Sequence, residues 1–173
     1  MKRYPPIADY ALIGDCHTAA LVSREVSIDW CCLPRFDSDS CFGRLLDRKL
    51  GGHFALAPTA RASSHREYLR DSLILVTTFT TRTAQARVID CFAMRRGGRT
   101  HPRRELIRIV EGVRGKMELA AVIMPRLDFG AVKPWIHPVD GGSYAAVGSN
   151  TGLLFFGGVP VLLDGHELPA TVT

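Results

Sequence analysis

Ala86-Arg87-Val88-Ile89-Asp90-Cys91-Phe92, followed after a glycine- and arginine-rich interval by Leu106-Ile107-Arg108-Ile109-Val110, decides the fold class. Side chains of an extended strand point alternately to opposite faces. Val88 and Asp90 therefore share one face, and Arg87, Ile89 and Cys91 the other. In the second run Leu106, Arg108 and Val110 oppose Ile107 and Ile109, which leaves two largely apolar faces and one charge in the interior of the run. That pattern suits a sheet covered on both sides.

Working outward, short runs rich in Val, Ile, Leu, Thr and Phe recur between Gly, Pro, Asp and Ser, and helical periodicity is nearly absent. Further strands are expected over residues 10–13, 20–23, 27–32, 53–56, 68–80, 117–124, 144–147, 153–156 and 161–163. About a dozen strands at this spacing predict an all-β, antiparallel super-β-sandwich of two packed sheets. One short helix is expected over residues 39–46, capped by Ser38, Asp39 and Ser40, with Phe42, Leu45 and Leu46 on one face. Residues 168–173 carry strand-type side chains with no closing turn, so the chain is expected to be one domain, 1–173, cut from something longer.

The chain has 173 residues and is 46% hydrophobic, enough for one sizeable core. Its longest apolar stretches, at 73–76 and 153–156, are far shorter than the roughly 20 residues that cross a bilayer. Met1, Lys2 and Arg3 are followed by Tyr4, Pro5 and Pro6 rather than by the apolar stretch of a secretory signal. A cytoplasmic protein without a membrane partner is the expectation. The odd number of cysteines (Cys16, Cys31, Cys32, Cys41 and Cys91) points to reduced, buried thiols. Cys31 and Cys32 are adjacent on a strand and cannot chelate one metal together. The net charge of +5 permits an anionic partner. The densest basic stretch, Arg95, Arg96, Arg99, Arg103 and Arg104, lacks interleaved aromatics, so it reads as a solvated turn first and a nucleic-acid site over 95–104 only as an alternative.

Catalytic signatures are missing from the pattern. No GxSxG, GxxxxGK[ST] or GxGxxG occurs, and the six histidines are never two at ligand spacing on a common element. No cofactor and no metal are expected. Glycosidic hydrolysis takes two facing carboxyl groups; Glu105 and Glu111, at the two ends of one strand, read as solvated positions. The distinctive stretch is Ser27-Ile28-Asp29-Trp30-Cys31-Cys32-Leu33-Pro34-Arg35-Phe36-Asp37-Ser38, a strand running into a loop. Trp30, Arg35, Phe36 and Asp37 are of the types that hold sugars: rings stack on the apolar face of a pyranose, and Arg and Asp bond its hydroxyls. The same residues equally suit a loop junction, with Trp30 in the core, Arg35 bonded to Asp37, and Phe36 tucked beneath.

These residues also carry a resemblance. Tyr4-Pro5-Pro6-Ile7-Ala8-Asp9-Tyr10-Ala11-Leu12-Ile13-Gly14-Asp15-Cys16-His17-Thr18-Ala19-Ala20-Leu21-Val22-Ser23, then Ser27 to Trp30 and Leu33 to Ser38, resemble bacterial glycoside hydrolase family 15, the glucoamylase and trehalase-like family. Gly51 to Phe54, Arg103 to Gly112, Pro125 to Gly130 and Pro134-Trp135 are similar as well. The resemblance implies an amino-terminal sandwich packed on a carboxyl-terminal (α/α)6 barrel that is absent from this chain and bears the two catalytic glutamates. It implies inverting hydrolysis of α-glucosidic bonds in trehalose or an α-glucan by the parent enzyme, with no catalytic residue in this chain. This chain alone is then expected to be inactive, to lend residues 35–37 to the active-site rim, and to self-associate; a stand-alone glucan-binding module using Trp30 and Trp135 is the alternative. Relatives resemble Asp-Gly where Glu25 and Val26 stand here, and because a β-branched residue resists positive φ, a turn wider than two residues is expected.

Overall fold

A computed structural model describes residues 4–98, 100, 103–148 and 150–173. Met1 to Arg3, on which the reading of the amino terminus rests, and Arg99, His101 and Pro102 of the arginine-rich turn lie outside the described residues. Within them the chain is all-β: β1 (Ala11–Gly14), β2 (Ala19–Val22), β3 (Ser27–Cys32), β4 (Ser40–Phe42), β5 (His53–Pro58), β6 (Ser63–Tyr68), β7 (Leu75–Thr80), β8 (Gln85–Phe92), β9 (Leu106–Arg114), β10 (Leu119–Met124), β11 (Trp135–Val139), β12 (Ser143–Gly148), β13 (Thr151–Phe155) and β14 (Leu168–Val172). Three single-turn 3-10 helices complete it.

Three antiparallel sheets form among these strands. The seven-stranded sheet runs β1-β2-β3-β5-β10-β14 with β4 paired to β3; the four-stranded sheet runs β6-β7-β8-β9, and the third is β11-β12-β13. The first two face each other. Ile13, Val22, Ile28 and Cys31 of the larger sheet pack on Leu75 and Phe92 of the smaller. Further along, Leu56, Leu119 and Ala121 meet Phe79, Ala86 and Val88. Ile136 and Ala146 of the third sheet close over Leu168 at the start of β14. Two layers rather than one twisted sheet follow from the alternation, since each strand must bury one apolar row.

Arg108, one of the charges on β9, has a structural use. Arg108 and Asp90 are both buried, with side chains 3% and 0% exposed. Arg108 Nε donates to Asp90 Oδ1 at 2.7 Å and Nη2 to Oδ2 at 3.3 Å. The guanidinium crosses to the opposite sheet, where Nη1 donates to the Phe54 carbonyl (2.6 Å) and Nη2 to the Val26 carbonyl (2.9 Å). It also lies 4.6 Å over the Phe54 ring. A buried guanidinium is tolerated because it is neutralised and its donors are largely used.

One expectation needs correction, and another holds for a different reason. Residues 39–46 are not a helix: Ser40–Phe42 is strand β4, in register with β3, and the chain then turns through 43–51. Cys41 and Phe42 are buried whereas Leu46 is 59% exposed, so the supposed apolar face is split. The capping-type oxygens build turns instead. Ser38 Oγ accepts from Arg35 N (3.2 Å), and Asp47 Oδ1 accepts from Lys49 N and Leu50 N (2.7 and 2.9 Å), which holds the Asp47 carboxyl low. The β2–β3 turn is indeed wider than two residues, closing from Ser23 to Ser27 with Val26 N donating to Ser23 O at 3.0 Å. Yet Val26 does adopt the disfavoured conformation, at φ 58°. Burial to 1% exposure and two donors on its carbonyl, Leu56 N and Arg108 Nη2, hold it there.

Candidate functional site

The turn between β1 and β2 starts the site. Asp15, itself buried, accepts the His17 and Thr18 amides on one oxygen, each at 2.9 Å, and the tight loop puts Cys16 at φ 69°. Thr18 Oγ1 donates to the Cys32 carbonyl at the end of β3. The chain beyond β3 passes the cis Leu33–Pro34 bond and is tied back when Phe36 N donates to His17 O at 3.0 Å. His17 Nε2 lies 2.9 Å from the Gly98 carbonyl, which draws in the arginine-rich turn. Together these segments enclose an open depression of about 490 Å³ lined by Cys16, His17, Pro34, Arg35, Phe36, Asp37, Thr100 and Arg104.

Three of the four expected residues meet here. Arg35 grips Asp37 through Nε–Oδ1 at 2.9 Å and Nη2–Oδ2 at 3.1 Å, and the guanidinium holds the Asp37 carboxyl below its usual range. Phe36 is 60% exposed, so its ring is offered to solvent rather than tucked beneath the loop. Trp30 is elsewhere. It is half-buried on β3, its ring 6.0 Å from that of Phe129, and does not line the depression. Cys16 and His17 were missed as site residues; their signal was the Gly14-to-Thr18 turn within the opening motif.

An exposed guanidinium with spare donors, a carboxylate with spare lone pairs and an open aromatic face can hold a polyol. Hydrolysis of a glycosidic bond takes two facing carboxyl groups, and among the described residues lining the depression Asp37 alone is acidic and is paired with Arg35. Glu105 and Glu111 are each engaged by an arginine, Arg103 and Arg87, at 3.4 Å. Arg103 and Arg104 of the basic stretch thus serve this region of the fold, one in an ion pair and one in the lining.

A cleft of about 950 Å³ opens between the sheets beside Phe42, Phe54, Leu106 and Phe155. On the third sheet, Trp135 is 67% exposed and stacked 4.1 Å from His137. The five cysteines are free; Cys31, Cys32 and Cys41 are buried as expected, but Cys16 is exposed and Cys91 half-buried. The hydrogen bond with Cys41, and burial after it, push the Cys31 thiol well up. No helix among the described residues is long and apolar enough to cross a membrane.

Comparison with known proteins is in line with this geometry. Residues 2–167 match the family model described as trehalase-like, N-terminal. The chain is 40% identical over 141 residues to a trehalase of Mycobacterium tuberculosis and, over the same length, to one of Mycolicibacterium smegmatis; each alignment covers 73% of this chain and 21% of the relative. A trehalase of Thermoplasma volcanium is 31% identical over 141 residues, covering 79% of this chain and 22% of that protein. The chain therefore spans about a fifth of the length of these curated relatives. No solved structure matches it.

Proposed function

We propose, from the premise that this chain belongs to the trehalase-like, N-terminal family, that it is a non-catalytic sandwich domain supporting a hydrolase of α-glucosidic bonds in trehalose or an α-glucan. The observation that carries this reading is the family match over 2–167 by a chain whose alignment spans about a fifth of the length of the trehalases it resembles. The catalytic carboxyl pair, acting with inversion, belongs in this reading to a following (α/α)6 barrel, and Arg35, Phe36 and Asp37 reach its rim, where they position a sugar hydroxyl face. The protein then works in the cytoplasm, as one domain over 1–173.

The purified chain, incubated with trehalose, maltose and malto-oligosaccharides, should release no glucose; steady release proportional to protein would overturn the reading. In a longer trehalase carrying this domain, Phe36→Ala together with Arg35→Ala should raise KM for the disaccharide several-fold with kcat little changed. Unaltered KM would remove the rim role while leaving the supporting role standing.

A second reading, a glucan-binding module, is favoured by the open Trp135 ring stacked on His137. Calorimetry with maltoheptaose separates the two, since a support alone gives no binding heat. Alone, the domain should also pair with itself: β9 is an edge strand with Ile109 and Val113 exposed at 47% and 42%. Light scattering at high concentration should then report dimers or larger species, and a clean monomer would count against it.

A further inference from the structure

The two end strands of the four-stranded sheet are unlike each other. β6 runs from Ser63 to Tyr68, polar and mostly exposed, a composition that keeps an edge from pairing. β9, at the opposite end, carries Ile107, Ile109 and Val113, and its inward charge, Arg108, is spent on Asp90. Ala93 N donates to the Glu105 carbonyl at 2.8 Å, so the bonded pairs with β8 fall at 105, 107 and 109. The amides and carbonyls of Leu106, Arg108 and Val110 therefore point away from β8, and β9 has no second neighbour among the described residues.

That free side borders open space along its length. The cleft of about 950 Å³ is lined by every residue from 103 to 108 and, across it, by every residue from 150 to 156. Successive side chains of a strand alternate in direction, so a wall made of every residue is a strand's edge and not one of its faces. The opposing wall is β13, itself the end strand of the third sheet, and Phe42, Phe54 and Ile123 form the floor. Farther along β9, Val110 and Gly112 line a second cavity, of about 460 Å³, together with Met117, Val172 and Thr173. A Cβ at Gly112 would meet nothing within 4 Å. A cation stands at each end, Arg104 at the cleft and Lys116 at the cavity, and neither is in an ion pair among the described residues, whereas Glu105 and Glu111 are both taken.

We propose that β9 accepts a fifth strand, one extended segment of a longer polypeptide, running antiparallel to it from Gly112 towards Leu106. This rests on the reading that the chain is a domain of a longer hydrolase; the relatives, of which it covers about a fifth, have the length to supply the strand. Strand addition pairs the outward amides and carbonyls of β9, and alternate apolar side chains enter the cleft over Phe42 and Phe54. Acidic residues at the two ends of the segment meet Lys116 and Arg104. Residues following Thr173 in such a protein start beside Gly112, which gives the antiparallel direction. A small apolar ligand would fill the cleft yet leave the edge amides unpaired.

The test is amide hydrogen exchange on the chain, dilute enough to be monomeric, with synthetic peptides of about ten residues. The peptides tile the part of the Mycobacterium tuberculosis trehalase that follows its aligned region. In the chain alone, Leu106, Arg108 and Val110 should exchange at least about tenfold faster than Ile107 and Ile109, which are bonded to β8. One acidic-ended peptide should slow the first three about tenfold, leave the other two unchanged, and dissociate self-paired species at high concentration. Methylating that peptide's backbone nitrogens at alternate residues should abolish the effect, and Arg104→Glu should require several-fold more peptide. If no peptide protects these amides, or the methylated peptide acts as well as its parent, the added strand is overturned. Protection that follows the chain's own concentration and that no peptide displaces assigns the edge to a second copy and overturns it too. Glucose release by the chain alone would sink the supporting-domain reading without touching these amides, so the two failures are told apart.

Discussion

Arg108 shows how much one residue can carry. It is at once an ion pair, a cation–π contact and a donor to two carbonyls on the facing side. Arg108→Met should cost about 3–5 kcal/mol in urea denaturation, because Asp90 would be left as an unpaired buried charge. Arg108→Met combined with Asp90→Leu should recover a substantial part of that. Val26 offers a sharper contrast. Val26→Ala keeps the left-handed strain and loses two buried methyl groups, about 1.6 kcal/mol of transfer energy. Val26→Gly loses more apolar area but relieves roughly 1 kcal/mol of strain, so it should be no more destabilising than Val26→Ala, a reversal of the usual order read from denaturation midpoints. His53 sets a pH dependence. Its folded pKa is lowered from 6.5 to about 4, so the unfolded chain binds the proton more readily within that window. Stability is full above about 6.5 and falls as the pH drops towards 4, by about 1–2 kcal/mol after allowing for the part of the ring that solvent screens. His53→Gln should flatten the stability curve across those pH values.

At the scale of elements, alternation of side chains made most strands legible and said little about edges. β3 and β8 come out within a residue of their expected bounds because apolar residues recur along both, although each also buries an aspartate, Asp29 and Asp90. Only Tyr68 of β6 falls within the strand expected over 68–80, because Ser63–Tyr68 is polar and mostly exposed; its task is not to fill the core but to cover an edge. Tyr68 OH both accepts from Leu12 N (3.0 Å) and donates to Leu12 O (2.8 Å), and Arg66 Nη2 donates to Asp9 O at 2.7 Å. Tyr68→Phe should therefore cost about 1 kcal/mol and speed hydrogen exchange at the Leu12 amide, while amides of β7 are unaffected. Around β4 the sequence favours a helix because Ser38, Asp39 and Ser40 precede an apolar run, yet the same residue types start turns as readily as helices. The Arg35-to-Asp37 loop was legible as chemistry, since its residue types are unusual together. That Trp30 lies apart from it was not, because the direction of a strand side chain depends on the β-bulge placed at Asp29, which no local signal marks.

For the whole molecule, the order of strands in the larger sheet departs from the order along the chain. β5 neighbours β10, with the entire four-stranded sheet made in between, and β14 lies at the margin beside β10. The four-stranded sheet is built of consecutive hairpins, so its contacts are local, whereas the larger sheet needs long-range pairing. This division is why the sandwich could be read from the sequence but its assembly into three sheets could not: pairing partners far apart in sequence leave no periodic trace. It also has a consequence for synthesis on the ribosome. Strands β1 to β10 can pair and close most of the core before residues 168–172 leave the exit tunnel, so the last strand is added to a template that already exists. A nascent chain stalled before Leu168 would then hold most of this sandwich folded yet lack β14, with Ile136 and Ala146 missing the buried leucine they close upon.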